Sequence, residues 1–371
     1  ILILDLDCDN RPQWINRNGW GKPWVWSIIN NFGGNVGLFG RMDVIAKEPF
    51  RVLQNPQYAE NLKGLGAMME GIENNSVIYE LLFELRWRHS PPDLDKWIRN
   101  YVNRRYGRAN HNLTRAYQIL RNTVFGQDLN LDKSQQGTSE SLICARPDLK
   151  IDRVSTWGTS ELYYSPEKLL KAWEIYISES NNFKNCETFN YDLVNITRQV
   201  LANYSQTLHK KIVESYRKKN ISHFDQYTHE FIKLINDQDT LLNSIDNFMV
   251  GKWLQAAREK ATNKKEKQLF EFNARTLITT WSYKNSNLHD YSHREWAGLL
   301  KDFYKPRWNM FFQYLRSKLN SQKVKEPDYY SFEKKWTQKN NKYPSQAIYD
   351  PIKTSQKIYK KYYSDIRNVY N

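Results

Sequence analysis

Cysteine is scarce in this chain: three residues in 371, Cys8, Cys144 and Cys186, with no CxxC pair among them. That excludes a structural zinc site of the four-cysteine kind and allows at most one disulfide. No run of about 18 apolar residues occurs, so no membrane-spanning helix is expected. Histidine is sparse and scattered. His289 and His293 stand four apart, but the glutamate of an HExxH motif is missing, so no metal site is expected there. A GxGxxG fingerprint and a GxxxxGK[ST] loop are both absent. Acidic residues are outnumbered, 40 against 55 Lys and Arg, for a net charge of +15.

That basic balance would attract polyanions such as nucleic acid, acidic lipid or sulfated sugar, or simply make a solvated surface. Hydrophobic residues make up 40% and aromatics 14%, enough for a substantial core and, at 371 residues, for more than one domain. Asn starts five N-x-S/T sequons, at Asn74, Asn112, Asn195, Asn203 and Asn220, which together lean toward a secretory route; Asn74 competes as a helix N-cap. The chain opens without Met on the strand-like "ILILDLD", and is expected to be a fragment or a processed product.

Two styles of pattern divide the chain. In residues 1–92, "ILILDL", "PWVWSII" and "LGAMMEGI" are short apolar runs bounded by turn residues, as buried parallel strands would be. Then Val77, Ile78, Leu81, Leu82 and Leu85 recur at helical spacing. This is α/β logic. After "HSPPDLDKW", where Asp93 can cap, helical periodicity dominates residues 93–371. Val200, Tyr204, Leu208, Ile212 and Tyr216 step by four and predict a long amphipathic helix with a basic outer face. Further helices are expected at 224–236, 240–260, 265–281, 290–301 and 304–319, and a Lys-rich tail of short helices and loops at 322–363.

The candidate chemistry lies in two places. "NNFGGNVGLFG", Asn30 to Gly40, has Gly33, Gly34, Gly37 and Gly40 just past an apolar strand. Without a following Lys-Ser or Lys-Thr, or an acidic ribose ligand, these glycines suit a sharp backbone turn beside a ligand better than a nucleotide cradle. "MMEGI" sets Glu70 at the end of an apolar segment, and barrel enzymes keep catalytic carboxylates at the C-terminal ends of their strands.

"WSIINNFGGNVGLFG" followed by "GLGAMMEGIENNSVIYELLFELRWR" resembles the signature region of glycoside hydrolase family 89. There a W-x-x-x-H-N-F-G-G-N-x-G-L-F-G segment precedes G-x-x-P-E-G-I. The resemblance continues through "WIRNYVNRRYG", "ARPDL", "YDLVNITRQV", "DYSHREWAGLLKDFYKPRW", "KYPSQ" and "KKYY", and so spans essentially the whole chain. It implies the last strands of a (β/α)8 TIM barrel in residues 1–92, followed by an α-helical C-terminal domain in 93–371 that walls the active site. It implies retaining hydrolysis of terminal α-linked N-acetylglucosamine, typically from heparan sulfate in lysosomes. Glu70 matches the family's nucleophile. The acid/base glutamate belongs to an earlier strand that this chain does not include.

By the same resemblance, Leu6 and Ile29 match apolar residues on the two preceding strand ends. Trp281, Leu288 and Tyr291 match residues walling the sugar pocket, and Asn31 and Asn35 would orient the loop or the sugar. Trp281 by spacing alone serves equally as core. The sequence departs from the pattern at Asn30 and Val36, where the family has His, at Met69, where it has Pro, and by one extra residue in the Trp281 loop. No cofactor or metal is implied. The expected partners are an N-acetylglucosamine-terminated glycan, sulfated or not, and the N-terminal remainder of the same enzyme. Nucleic acid and membrane are not expected, a homo-oligomer stays open, and a lysosomal or secreted location is expected. The competing reading is a non-catalytic carbohydrate-binding homologue, with a polyanion or nucleic-acid binder behind it.

Overall fold

The computed structural model describes residues 1–71, 73, 75–126, 137–156 and 158–370. It divides into two compact units, one of Ile1–Ser139 with Leu162–Glu179, the other of Glu140–Glu161 with Ser180–Asn371.

The first unit carries a parallel sheet of β1 (Ile3–Asp5), β2 (Trp24–Ile28) and β3 (Leu62–Ala67) in that spatial order. The three apolar runs thus become strands, though β3 starts at Leu62 and ends before Met68. β2 is central, and Trp24, Trp26, Ser27 and Ile28 are fully buried. Trp14 stacks on Trp24 at 5.9 Å between ring centroids. Two indoles of roughly 200 Å² each, at about 25 cal/mol per Å², make this strand the anchor of the unit. A short helix α1 (Gln13–Asn16), then α2 (Met42–Leu53), α3 (Pro56–Ala59) and α4 (Ser76–Glu84) connect and cover the strands. Val77, Ile78, Leu81, Leu82 and Leu85 are buried as their spacing predicts. Helices α5 (Leu94–Tyr106), α6 (His111–Arg121) and α7 (Pro166–Glu179) pack in the same unit. Asp93 caps α5 by accepting from the Asp95 and Lys96 amides, satisfying donors with no intrahelical partner.

The second unit is helical: α8 (Glu187–Arg217), α9 (Ile221–Leu242), α10 (Val250–Glu259), α11 (Lys264–Leu277), α12 (Lys305–Leu319), α13 (Tyr329–Thr337) and α14 (Pro351–Tyr370). Several sequence-based expectations need correction here. α8 is not amphipathic throughout. Its middle, residues 193–205, is buried on all sides, including Asn195, Thr197, Arg198, Gln199 and Asn203. These polar groups satisfy one another: Arg198 donates to Asn195 at 3.0 Å and to Gln199 at 2.9 Å, and pairs with Glu295. Only the C-terminal half keeps the expected basic outer face. Two sequons fall with this correction, because Asn195 and Asn203 have no room for a glycan in the folded chain. Asn112 donates to Glu179, Asn220 caps α9, and Asn74 lies outside the described residues.

The stretch expected as helix 290–301 is irregular until a π turn at Leu300–Tyr304 leads into α12. Asp290 sits at φ 57° and Gly298 at φ 82°, both incompatible with a continuing helix. The expected 240–260 helix breaks between Leu242 and Val250, where Met249 bridges Ala297. The 265–281 helix stops at Leu277. The tail, expected as short helices and loops over 322–363, has that form through α13 and the segment after it, but from Pro351 it runs as the 20-residue α14. Its buried Ile352, Ser355, Ile358, Tyr362 and Ile366 step by three and four, a stripe that the surrounding lysines obscure.

Candidate active site

Parallel order places the carboxyl ends of all three strands on one edge of the sheet. Leu6 follows β1, Ile29 follows β2 and Glu70 follows β3, so these three sequence candidates share that edge. Met68 continues the ladder by donating its amide to the Ile28 carbonyl. Leu6 and Glu70 are exposed and Ile29 half-buried.

The glycine loop acts on Glu70. The Gly33 amide donates to Glu70 Oε2 at 2.5 Å. Asn31, buried, clamps the same segment at two points: its Oδ1 accepts the Glu70 amide at 3.0 Å, and its Nδ2 donates to the Gly71 carbonyl at 2.8 Å. Gly33 and Gly34 lie at φ 63° and 70°, in the left-handed region that glycine enters without steric cost. A Cβ on Gly71 would come within 2.8 Å of Gly34 Cα, so the two loops approach backbone to backbone. The loop is therefore a carboxylate-orienting device. A charge-assisted backbone bond fixes the direction of one carboxylate oxygen.

Asn35 turns inward, its Oδ1 accepting the Gly37 amide at 3.0 Å. Asn30, at φ 62° and buried, donates to the Phe39 carbonyl at 3.3 Å and accepts from Asn75 at 3.2 Å. Asn75 also donates to the Gly37 carbonyl and accepts the Phe39 amide. Sequence reading missed Asn75. It precedes α4 yet caps nothing; its amide ties the start of that helix to the glycine loop.

A second feature was missed in "DLDCDN". Asp5 Oδ2 accepts the Gln13 and Trp14 amides. Asp9 is fully buried 3.5 Å from Arg41, and Arg41 also donates to Asn10. Burial and the neighbouring Asp9 charge push the Asp7 carboxyl up to about 7. Three alternating aspartates at a strand end were the available signal, and they passed for turn residues.

Trp281, Leu288 and Tyr291 lie together in the second unit, in the loop after α11. The Trp281 and Tyr291 rings meet edge-on with centroids 4.9 Å apart, and the Tyr291 amide donates to the Leu288 carbonyl. Trp281 sits at φ 56°, with its amide on the Thr276 carbonyl at 2.8 Å. The three are half-buried. Asp290, beside them, is locked to Arg307 at 2.8 Å. Burial opposes its charge, but the Arg307 guanidinium and His289 together outweigh that and hold the carboxyl below the usual range. His289 and His293 both turn to Asp290, at 3.2 and 2.9 Å. Glu140 reinforces a neighbouring loop by accepting the Val154 and Ser155 amides, while Thr156 donates to the Asn287 carbonyl.

Two families match the chain along most of its length. The family described as "Alpha-N-acetylglucosaminidase (NAGLU) tim-barrel domain" matches residues 1–89, and "Alpha-N-acetylglucosaminidase (NAGLU) C-terminal domain" matches residues 97–361. The human alpha-N-acetylglucosaminidase is 28% identical over 98% of the chain, which spans 48% of that protein. Family 89 glycoside hydrolase from Clostridium perfringens, in complex with 2-acetamido-1,2-dideoxynojirmycin, superposes with a TM-score of 0.91 at 32% identity, covering 97% of this chain and 41% of that one. A double glutamate-to-glutamine variant from the same organism, in complex with its substrate GlcNAc-α-1,4-galactose, gives 0.91 at 32% over 98% and 42%. The chain thus spans less than half the length of these relatives. With three parallel strands ending on one edge, a carboxylate held there by a glycine loop, and a following helical unit, the chain belongs to the alpha-N-acetylglucosaminidase family, glycoside hydrolase family 89.

Proposed function

We propose that the protein containing this chain is a retaining exo-glycosidase that removes terminal α-linked N-acetylglucosamine, with Glu70 as nucleophile. The observation that carries this is the seating of Glu70: at the carboxyl edge of a parallel sheet, solvent-exposed, with one oxygen oriented by the Gly33 amide and its backbone held by Asn31. A nucleophile must meet the anomeric carbon along one line, and fixing the carboxylate in advance removes that orientational cost. Glu70 attacks the anomeric carbon and the glycosidic bond breaks, while a second carboxyl about 5 Å away protonates the leaving oxygen. That second group, now a base, takes a proton from water, whose oxygen displaces Glu70. The second carboxyl comes from the rest of the barrel, outside this chain.

Trp281, Leu288 and Tyr291 together present an aromatic and apolar surface of the kind on which a sugar's C–H face rests. Capture of an α-linked N-acetylglucosamine substrate by the bacterial relative with two glutamates changed to glutamine supports a two-carboxylate mechanism. The reading extends to heparan sulfate-type glycans as source and a lysosomal or secreted location. At the departures Asn30 and Val36 both residues are buried, and the Asn30 amide serves the loop by donating to the Phe39 carbonyl. Glu70→Gln in the full-length protein is expected to abolish release of an aryl α-N-acetylglucosaminide leaving group while the sugar still binds. Turnover within about tenfold of the parent would remove Glu70 from the mechanism, since a lost nucleophile costs orders of magnitude.

A further inference from the structure

The second unit holds a cavity of about 500 Å³ that the glycosidase reading does not use. Its cationic lining is Arg258, Lys264, Lys267, Lys339 and Lys342, with the exposed ring of Phe272. One wall is a face of α11, where Lys264, Lys267 and Glu271 recur at i, i+3 and i+7; the other is the segment after α13. Arg275 ties the walls together. It donates to Glu271 Oε1 at 2.8 Å and to the Asn341 carbonyl at 2.9 Å, and lies over the Trp336 ring at 4.7 Å. The cavity is thus built into the fold.

Its charge is uncompensated. Glu271 is the only carboxylate in the lining, and it is already held by Arg275 and, at 3.2 Å, by Arg258. Among the described residues, no carboxylate pairs with Lys264, Lys267, Lys339 or Lys342. Four exposed lysines that line one concavity carry like charges that repel one another unless an anion joins them. The helix N-terminus plays no part, because Asn263 Oδ1 already accepts the Glu266 amide, while Glu266 Oε2 accepts the Thr262 amide. Several separate lysines suit dispersed single charges better than one compact phosphate, which an Arg fork holds best. The Phe272 face and the amides of Gln268 and Asn340 suit a pyranose ring and its hydroxyls.

The geometry points to a second carbohydrate site in the helical unit, one that binds an oligosaccharide carrying sulfate esters. It rests on the second unit alone and stands whether or not Glu70 cleaves a sugar. The test uses the full-length protein and a heparin-derived hexasaccharide. Replacing all four lysines by Gln is expected to weaken binding about tenfold or more and to flatten its salt dependence. Release of an uncharged aryl α-N-acetylglucosaminide should stay at the parent rate. Phe272→Ala should lower the affinity that survives at high salt. Three results would overturn the site: unchanged hexasaccharide affinity in the four-lysine variant, unchanged high-salt affinity in Phe272→Ala, or duplex DNA of equal charge binding at least as tightly through the same lysines. A parent protein that binds the hexasaccharide but turns over no substrate would count against the glycosidase reading and leave this site in place.

Discussion

Asn31 shows what one side chain contributes at this edge. Its carbonyl oxygen and amino group answer the Glu70 amide and the Gly71 carbonyl, one amide serving two adjacent backbone groups. Asn31→Ala leaves both unmatched, at about 1–3 kcal/mol for each one that stays buried. The expected result is a lowered melting temperature and a kcat reduced about 10- to 100-fold with KM changed far less, because orientation of the nucleophile is lost rather than sugar contact. A KM effect alone would assign Asn31 to substrate binding. Asn31, Asn35 and Glu70 were legible as a motif. Asn75 was not: nothing in "ENNS" says which asparagine abandons the cap to hold a loop 38 residues away.

Among elements, α8 is the most instructive. Every-fourth-residue apolar spacing identified it, but the polar residues between were taken for a solvated face. They are an internal network in which Arg198 and Gln238 converge on Glu295, together with Ser141. Arg198→Met keeps the length and removes the charge. It leaves Glu295 buried without its cation, and a loss of about 3–5 kcal/mol is expected in chemical denaturation. Replacing Arg198 and Glu295 together by apolar residues should recover much of that; no recovery would mean the network acts through shape rather than charge. The 290–301 stretch failed for the converse reason. Its apolar spacing imitates a helix, while Asp290 is drawn to Arg307, 17 residues on, and local pattern carries no trace of that pull.

For the whole molecule, pH dependence of stability sums carboxylates shifted in opposite directions. Asp7 is raised to about 7 from 3.8, so the folded chain holds a proton there that the unfolded chain gives up. Stability from this group is greatest below about pH 4 and is lost as pH rises toward 7. Asp290 works the other way: its lowered value contributes stability above the unfolded value, lost as pH falls through the folded one. Asp7→Asn should therefore raise the melting temperature near pH 7.5, change it little at pH 4, and flatten the slope between. Equal shifts at both pH values would show that Asp7 stays ionised.

Some of this protein was determined by its linear order. Apolar runs bounded by turns specify strands, and the glycine loop with Glu70 after β3 specifies a carboxylate at a strand end, because these are short-range consequences of backbone geometry and burial. Only tertiary structure decided that Gly33 donates to Glu70, that the middle of α8 is internal, that Asp290 turns to Arg307 where a helix was expected, and that four lysines from two segments share one cavity. Each depends on groups far apart in sequence, whose energies exist only once the chain has brought them within a few ångströms.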